Sequence, residues 1–404
     1  VKGLRKELLI LRMIKCEIAI IGTGPAALMA GSILQSNGLS VAFFDQNKAA
    51  GRKFLVAGKG GFNLTNNADI ESFVEKYNHP KMQQAVRLFS KDHFINFLKS
   101  LDIETYVGSS GKIFPVKGTK PIEVLDRWIS RLKDDGAVFY YGHRLIDFQN
   151  DNLTFQWNDQ IVIADCKWKI FALGGGSWKV TGSDGKWTKL LESKGFETSK
   201  LESSNSGFVL DLYQNKINLE GKYVKNCRIF DDFISKSGDI VFTNYGLEGA
   251  PIYALNGSFR ESKEIFIDFK PDLELMQIKS LLLNAKNSTE GLRQLKLQKY
   301  VITFLKDSTS KEQFLDVESL AGLIKKLPLK ITSLRPVDEV ISTVGGMSMN
   351  EINQNFASIK SPRIYFVGEM LDWDAPTGGY LIQGCVASGY AAAKDIIADL
   401  PLED

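Results

Sequence analysis

The sequence predicts an α/β protein whose first domain is interrupted by a long insertion. Three observations carry this. The stretch from Glu17 to Asp45 runs in the order strand, glycine turn, helix, strand, acid. A glycine-punctuated texture stops near Gly195 and returns at Val340. The chain, at 404 residues, is also longer than one hydrophobic core ordinarily supports.

In the opening unit, Ile18 to Ile21 is a continuous apolar run, as expected of a strand buried on both faces. Gly22-Thr23-Gly24 makes the turn. Pro25-Ala26-Ala27 opens a helix running to about Asn37, with Pro in the first turn where its missing N–H is harmless. Gly38 stops that helix, and Val41 to Phe44 form the next strand, followed by Asp45 and Gln46. This is the dinucleotide-binding fingerprint with Ala27 in the third glycine position. Gly22 permits the tight turn, Gly24 lets backbone amides approach a pyrophosphate, and the helix N-terminus adds positive dipole. Asp45 sits where a carboxylate accepts hydrogen bonds from ribose hydroxyls. The unit alone leaves FAD and NAD undecided.

Gly51 to Asn66 follows, with four glycines and three basic residues. So many glycines cost chain entropy unless the backbone is brought close to something. Gly58, Gly60 and Gly61 offer backbone donors, Arg52 and Lys53 offer charge, and the loop is placed to continue along a diphosphate. Apolar spacing predicts two amphipathic helices over Pro80–Leu101 and another over Pro121–Lys133. Thr105–Val107 and Lys112–Pro115 read as a hairpin around Gly108–Gly111. A strand ending in Gly174-Gly175-Gly176 marks another close backbone approach.

The organisation expected is an N-terminal extension over residues 1–12 and a discontinuous Rossmann-like domain over 13–194 and 341–404. Between them lie a β-rich insertion over 195–271 and a helical one over 272–340. After the strand Arg363–Val367 come Gly368-Glu369, and Gly378-Gly379 precede a last helix, about Tyr380 to Ala398, rich in small residues.

Bulk properties narrow the function. A net charge of +3 gives no positive support for a nucleic-acid partner and none for a membrane surface. Four cysteines without a CxxC pair speak against structural zinc and against a dithiol-disulfide reductase, and suit a reducing cytoplasm. Three scattered histidines give no metal site. No window approaches the roughly 20 apolar residues of a membrane span. The chain is expected to be soluble and cytoplasmic.

The motifs GTGPAA, GRKFLVAGKGGFNLTN, ALGGGSW, STVGG and GEMLDWDAPTGGYLIQGCVASGYAAA occur in this order. In this the chain resembles the BaiN/RdsA-type (YhiN-like) bacterial NAD(P)/FAD-dependent oxidoreductases, from about Met13 to its end. The resemblance implies the two-dinucleotide-binding-domain flavoprotein fold and a non-covalent, extended FAD. It places Gly22, Thr23, Gly24, Pro25 and Ala26 at the pyrophosphate and Asp45 with Gln46 at the adenosine ribose. Arg52, Lys53, Gly60, Gly61 and Asn63 would follow the diphosphate and flavin, Leu145 would meet adenine, and Gly174-Gly175 would pass ribose and phosphate. Gly368-Glu369 would hold the ribityl chain, while Gly378, Gly379, Tyr380 and Leu381 would face the pyrimidine edge. Asp45 in place of the commoner Glu and Ala27 in place of glycine are departures from the pattern. The chain has no second complete GxGxxG unit, so NAD(P)H would dock only transiently.

The activity implied is flavin hydride transfer to or from an activated C=C bond of a small molecule, with a protein acid completing it. Acid candidates are Tyr245, Glu248 and Asp372; packing is the plain alternative for Tyr245, and loop anchoring for Asp372. Two other readings stand beside this one. An RNA-modifying flavoprotein reducing a uracil ring would draw on Lys59, Lys112 and Lys117. The third is a flavin-binding protein without turnover.

Overall fold

The computed structural model describes residues 10–56, 62–211, 219–257 and 263–400. The chain divides into two compact units, Val1–Glu202 with Ser342–Asp404, and Ser203–Ile341.

The first unit is built on a parallel sheet. Strand β1 (Ile10–Ile21) is flanked by β2 (Val41–Asp45) and by the long strand Gln160–Phe171. Val138–Tyr141 lies outside β2, and Ile364–Phe366 pairs with the end of the long strand. Ile18, Ala19 and Ile20 are fully buried, which explains the unbroken apolar run. Registers Ile21↔Phe44, Ile21↔Phe171 and Phe366↔Phe171 bring the carboxyl ends of these strands to one edge. Ligands of open α/β sheets bind at such an edge. The antiparallel strands His143–Phe148 and Asn152–Trp157 extend the other half of the long strand.

Strand β1 begins earlier than the expected boundary after residue 12. Ile10 and Arg12 already pair with Ile161 and Val162, across a register shift. Three helices fall where periodicity predicts, at Pro80–Leu88, Lys91–Ser100 and Pro121–Asp134. The hairpin Thr105–Val107/Lys112–Pro115 forms and gains Thr65–Asn66 as a third strand.

Helix α1 (Pro25–Gln35) and the C-terminal helix Tyr380–Ala398 pack against each other with almost no spacing. A Cβ on Gly389 would stand 2.2 Å from the Ala26 carbonyl oxygen. The small-residue face of the last helix therefore serves contact with α1. Gly389→Ala is expected to destabilise the protein by roughly 1–3 kcal/mol, the usual cost of overpacking a core, measured by urea denaturation.

The second unit is a closed six-stranded barrel. Its order is Phe208–Leu210, Gly246–Glu248, Ser235–Phe242, Tyr223–Phe230, Glu264–Asp268 and Leu327–Leu334, which returns to the first. Five helices between Leu275 and Lys325 share one apolar cluster with the barrel. The expected split into separate β-rich and helical insertions at 271/272 is not what forms. After the helices, Leu327–Leu334 alternates buried Leu327, Leu329 and Ile331 with exposed Pro328, Lys330 and Thr332, and closes the barrel. Closure leaves no unpaired sheet edge. Thr198–Ser204, expected inside the insertion, instead pairs with Ser342–Met347.

Candidate functional site

The carboxyl edge of the parallel sheet collects most of the residues singled out from sequence. Gly22 has φ +111°, and a Cβ there would meet the Ala172 carbonyl oxygen at 2.2 Å. Its amide donates to the Phe44 carbonyl at 2.8 Å. Gly24 differs in kind. It is the N-cap of α1 with an ordinary φ of −80°, no side chain caps the helix, and nothing lies within 4 Å of a Cβ placed on it. The first turn of α1 thus opens onto space with its positive dipole uncapped, the arrangement that accepts an anion. Pro25 occupies the first helical position, and Ala26 and Ala27 are buried.

Asp45 ends β2 with its carboxylate turned toward the glycine turn. The Thr23 hydroxyl donates to Oδ2, and the Asn47 backbone and side-chain amides donate to Oδ1 at 2.8 and 3.0 Å. Thr23 Oγ1 also accepts from the Gly51 amide at 3.2 Å. A carboxylate offers about four acceptor sites, so capacity for a ribose hydroxyl is left. Burial raises the Asp45 pKa above its usual 3.8, against the hydrogen bonds from Thr23 and Asn47 and the Arg52 charge. Gln46 donates to the Gly182 carbonyl at 2.7 Å, Asn47 to that of Thr181 at 3.2 Å, and Arg52 to Asn47 Oδ1 at 3.2 Å. Gly142, ahead of the strand carrying half-buried Leu145, donates to the Asn47 carbonyl at 2.9 Å.

That raised pKa has a signed consequence. Between 3.8 and the folded value the native state holds the extra proton, so the group's contribution to stability falls as pH rises through that window. Asp45→Asn retains the acceptor for Asn47 and removes the charge. It is expected to flatten this pH slope, to raise the melting temperature of cofactor-free protein at neutral pH, and to weaken cofactor binding by about tenfold (about 1.4 kcal/mol). Thermal melts across pH and a flavin titration check the three outcomes.

A second cluster joins residues from four parts of the sequence. Lys53 Nζ donates to Glu369 Oε1 and Oε2 at 2.7 and 2.6 Å and to Ser177 Oγ at 2.7 Å. Glu369 also accepts from the amides of Thr343 and Gly175 at 3.3 and 3.4 Å. The Gly176 amide donates to Thr343 Oγ1 at 3.1 Å. A Cβ on Gly175 would meet Thr343 Oγ1 at 2.2 Å, which explains a glycine there. The Gly174 and Gly175 carbonyls accept from Trp187 Nε1 and Ser183 Oγ at 3.0 and 2.8 Å. Gly368, at φ +80°, donates to Ser388 Oγ at 3.0 Å. Sequence reading missed Ser177 and Thr343; the hydroxyls flanking the glycine runs were the only signal.

The C-terminal helix starts at a third point. Its N-cap, Gly379, has φ +101°, and a Cβ would fall 2.3 Å from the Thr65 carbonyl carbon. Asn66 Nδ2 donates to the Gly378 carbonyl at 3.1 Å, and the Lys112 side chain lies alongside Gly378. The Tyr77 hydroxyl donates to the Tyr380 carbonyl at 2.6 Å, and Leu381 is half-buried. Thr65 Oγ1 is buried and has no hydrogen-bond partner among the described residues. Asn63 lies between buried Phe62 and Leu64. Gly60 and Gly61, with Gly58 and Lys59, lie outside the described residues.

The three acid candidates divide between the two units. Asp372 Oδ2 accepts from Ser199 Oγ at 2.6 Å and Oδ1 from the Gly345 amide at 3.0 Å, tying together the segments of the two-stranded sheet. It anchors a loop. Tyr245 and Glu248 belong to the second unit, where the Tyr245 hydroxyl donates to Glu248 Oε1 and the Arg335 guanidinium lies 4.1 Å from the Tyr245 ring centroid. Burial and Glu248 raise the Tyr245 pKa, holding its proton firmly. Among the described residues, no group of three or more metal-ligating side chains converges, and no helix is long and apolar enough to cross a membrane.

A family model described as "HI0933-like protein Rossmann domain" matches residues 16–395. The chain is 22% identical over 398 residues to the ribosomal RNA dihydrouridine synthase of Escherichia coli, covering 96% of this chain and 99% of that protein. It is 24% identical over 413 residues to a 3-dehydro-bile acid delta(4,6)-reductase of Clostridium scindens, covering 94% and 98%. Among solved structures, 3-ketosteroid-delta4-(5alpha)-dehydrogenase from Rhodococcus jostii superposes with a TM-score of 0.52 at 11% identity, over 94% of this chain and 97% of that one.

Proposed function

The chain belongs to the HI0933-like Rossmann family, and from that premise we propose that it is an FAD-dependent oxidoreductase acting on a C=C bond conjugated to a carbonyl. One observation carries the reading. Two helix N-termini without side-chain caps, at Gly24 and Gly379, belong to helices in backbone contact. Ten residues separate Gly379 from Gly389, which touches Ala26 at the start of α1. At 1.5 Å per residue that is roughly 15 Å of helix, a separation suited to an extended dinucleotide.

Gly22, Gly24 and Ala26 would hold the pyrophosphate, and Asp45, steadied by Thr23 and Asn47, the adenosine ribose. The Lys53–Glu369 pair would meet the middle of the cofactor, where Glu369 accepts hydroxyl protons and Lys53 fixes its orientation. The amides of Gly379 to Leu381 would place partial positive charge at the pyrimidine edge, and the unpartnered Thr65 hydroxyl is available to a polar ring atom. When bound, flavin supplies hydride transfer between its N5 and the substrate carbon, with NAD(P)H as a transient donor.

The relative named as a ribosomal RNA dihydrouridine synthase supports a second reading, reduction of a uracil ring. Both readings share an activated double bond; they differ in what surrounds it. The test is direct. Purified protein should be yellow and release FAD on denaturation. Anaerobic NADH or NADPH should bleach it, and either a steroidal dienone or a uridine-containing ribosomal RNA fragment should restore the colour. A colourless protein that takes up no added FAD defeats the proposal, and a bleached flavin reoxidised by neither acceptor class defeats the substrate assignment. Lys112→Glu is expected to weaken RNA-dependent reoxidation several-fold at low salt, with little change toward a dienone, if RNA is the substrate.

A further inference from the structure

Sequence spacing separates all four cysteines, yet the fold brings two of them together. β1 and Gln160–Phe171 run parallel with Cys16 directly opposite Cys166. Residues in register on neighbouring parallel strands project from the same face, and here each thiol is close enough to shift the ionisation of the other. Neighbouring strands lie about 4.7–4.9 Å apart, inside the roughly 4.4–6.8 Å Cα separation that a disulfide bridges. Cys166 is buried, while Cys16 is only partly so, which gives the pair a route to solvent.

A cation stands beside them. Lys169 is fully buried, and its Nζ donates to the carbonyls of Cys166, at 2.9 Å, and Asn150. The Cys16 thiol is held protonated, first by its hydrogen bond to Cys166 and then by burial. The Cys166 thiol is lowered, first by the hydrogen bond from Cys16, with Lys169 adding to the effect against burial. The two shifts run in opposite directions, so Cys166 is the sulfur of the pair that gives up its proton more readily. Cys227 and Cys385 provide contrast: burial pushes each of these thiols up to about 12.

We propose that Cys16 and Cys166 form a reversible dithiol–disulfide site that reacts with hydroperoxides. The Cys166 thiolate attacks the distal peroxide oxygen and the O–O bond breaks. The alcohol leaves with one proton, and Cys166 becomes a sulfenic acid. The Cys16 sulfur then attacks the Cys166 sulfur, the S–O bond breaks, and water leaves carrying the second thiol proton. The peroxide gains two electrons and the dithiol loses them; a small-molecule thiol reverses the change. Six residues of strand, roughly 20 Å at 3.3 Å each, separate Cys16 from Gly22. The site therefore stands independently of the proposed cofactor edge.

The test uses the folded full-length chain, treated with a small excess of hydrogen peroxide, then denatured in the presence of an alkylating agent and mapped by mass spectrometry without reduction. The expected result is a fall from four alkylatable thiols to two, a linked peptide pair containing Cys16 and Cys166, intact Cys227 and Cys385, and recovery of four thiols with dithiothreitol. In Cys16→Ser the linked peptide should vanish and Cys166 should accumulate as a dimedone-reactive sulfenic acid. Four thiols surviving peroxide, separate over-oxidation of Cys16 and Cys166 without a linked peptide, or linkage between two chains would each overturn the proposal. The wild-type measurement needs no variant, so a poorly folding Cys16→Ser does not affect the outcome.

Discussion

A Gly24→Val variant is expected to fold as the wild type does and to emerge without flavin. Gly24 has a φ that any residue adopts, and no atom lies within 4 Å of its added Cβ. The fold therefore loses nothing when a side chain is placed there, and the melting temperature of the cofactor-free protein should stay within a few degrees. The side chain does fill the space in front of the first turn of α1, where an anion would meet the helix amides. Cofactor affinity should fall by about 100-fold or more, roughly 2.7 kcal/mol, read by fluorescence titration with FAD. Gly22→Val is the contrasting variant. Its φ is +111° and its Cβ would stand 2.2 Å from the Ala172 oxygen, so it should lose folded protein as well as cofactor. A yellow, tightly binding Gly24→Val protein would remove the pyrophosphate assignment while leaving the fold untouched.

The second large effect lies in the barrel unit. Asp268 is fully buried, accepting from Arg228 at 2.9 Å, from Lys325 at 2.8 Å and from the Lys270 amide at 2.9 Å. Lys325 additionally donates to the carbonyls of Lys270 and Leu273, both at 2.9 Å. Lys325→Met leaves a buried carboxylate with one partly exposed cation and two carbonyls without their donor. The expected loss is about 3–5 kcal/mol, the cost of breaking a buried ion pair, against total stabilities of about 5–15 kcal/mol. Arg228→Met should cost less, because that guanidinium already shares its charge with solvent. Combining Lys325→Met with Asp268→Leu should recover much of the loss, since an apolar replacement for a buried pair is often neutral. Chemical denaturation monitored by the barrel's own transition distinguishes these outcomes, and a double variant no more stable than Lys325→Met would show that the pair is held for packing instead.

The elements legible in the sequence were those written in local signals. The apolar run Ile18–Ile21, the turn Gly22–Gly24, the Pro25 start and the Asp45 terminus lie within one β-α-β unit, and each was read correctly as structure. Amphipathic spacing placed Pro80–Leu88 and Pro121–Asp134 for the same reason. What failed to show was pairing across long sequence separation. Leu327–Leu334 has ordinary strand alternation, yet its place as the strand that closes the barrel depends on partners at Phe208–Leu210 and Glu264–Asp268. Its position after a run of helices masked it.

The sequence by itself determined the dinucleotide-binding unit, the family resemblance and the glycines at which backbones come close, because a turn or cap needs only its own few residues. The tertiary structure alone decided that Lys53 meets Glu369, that Asp372 anchors a loop, and that Cys16 lies beside Cys166. Each of these depends on which strands become neighbours and in what register. That choice is made by burial of the whole sheet, to which no short stretch of sequence has access.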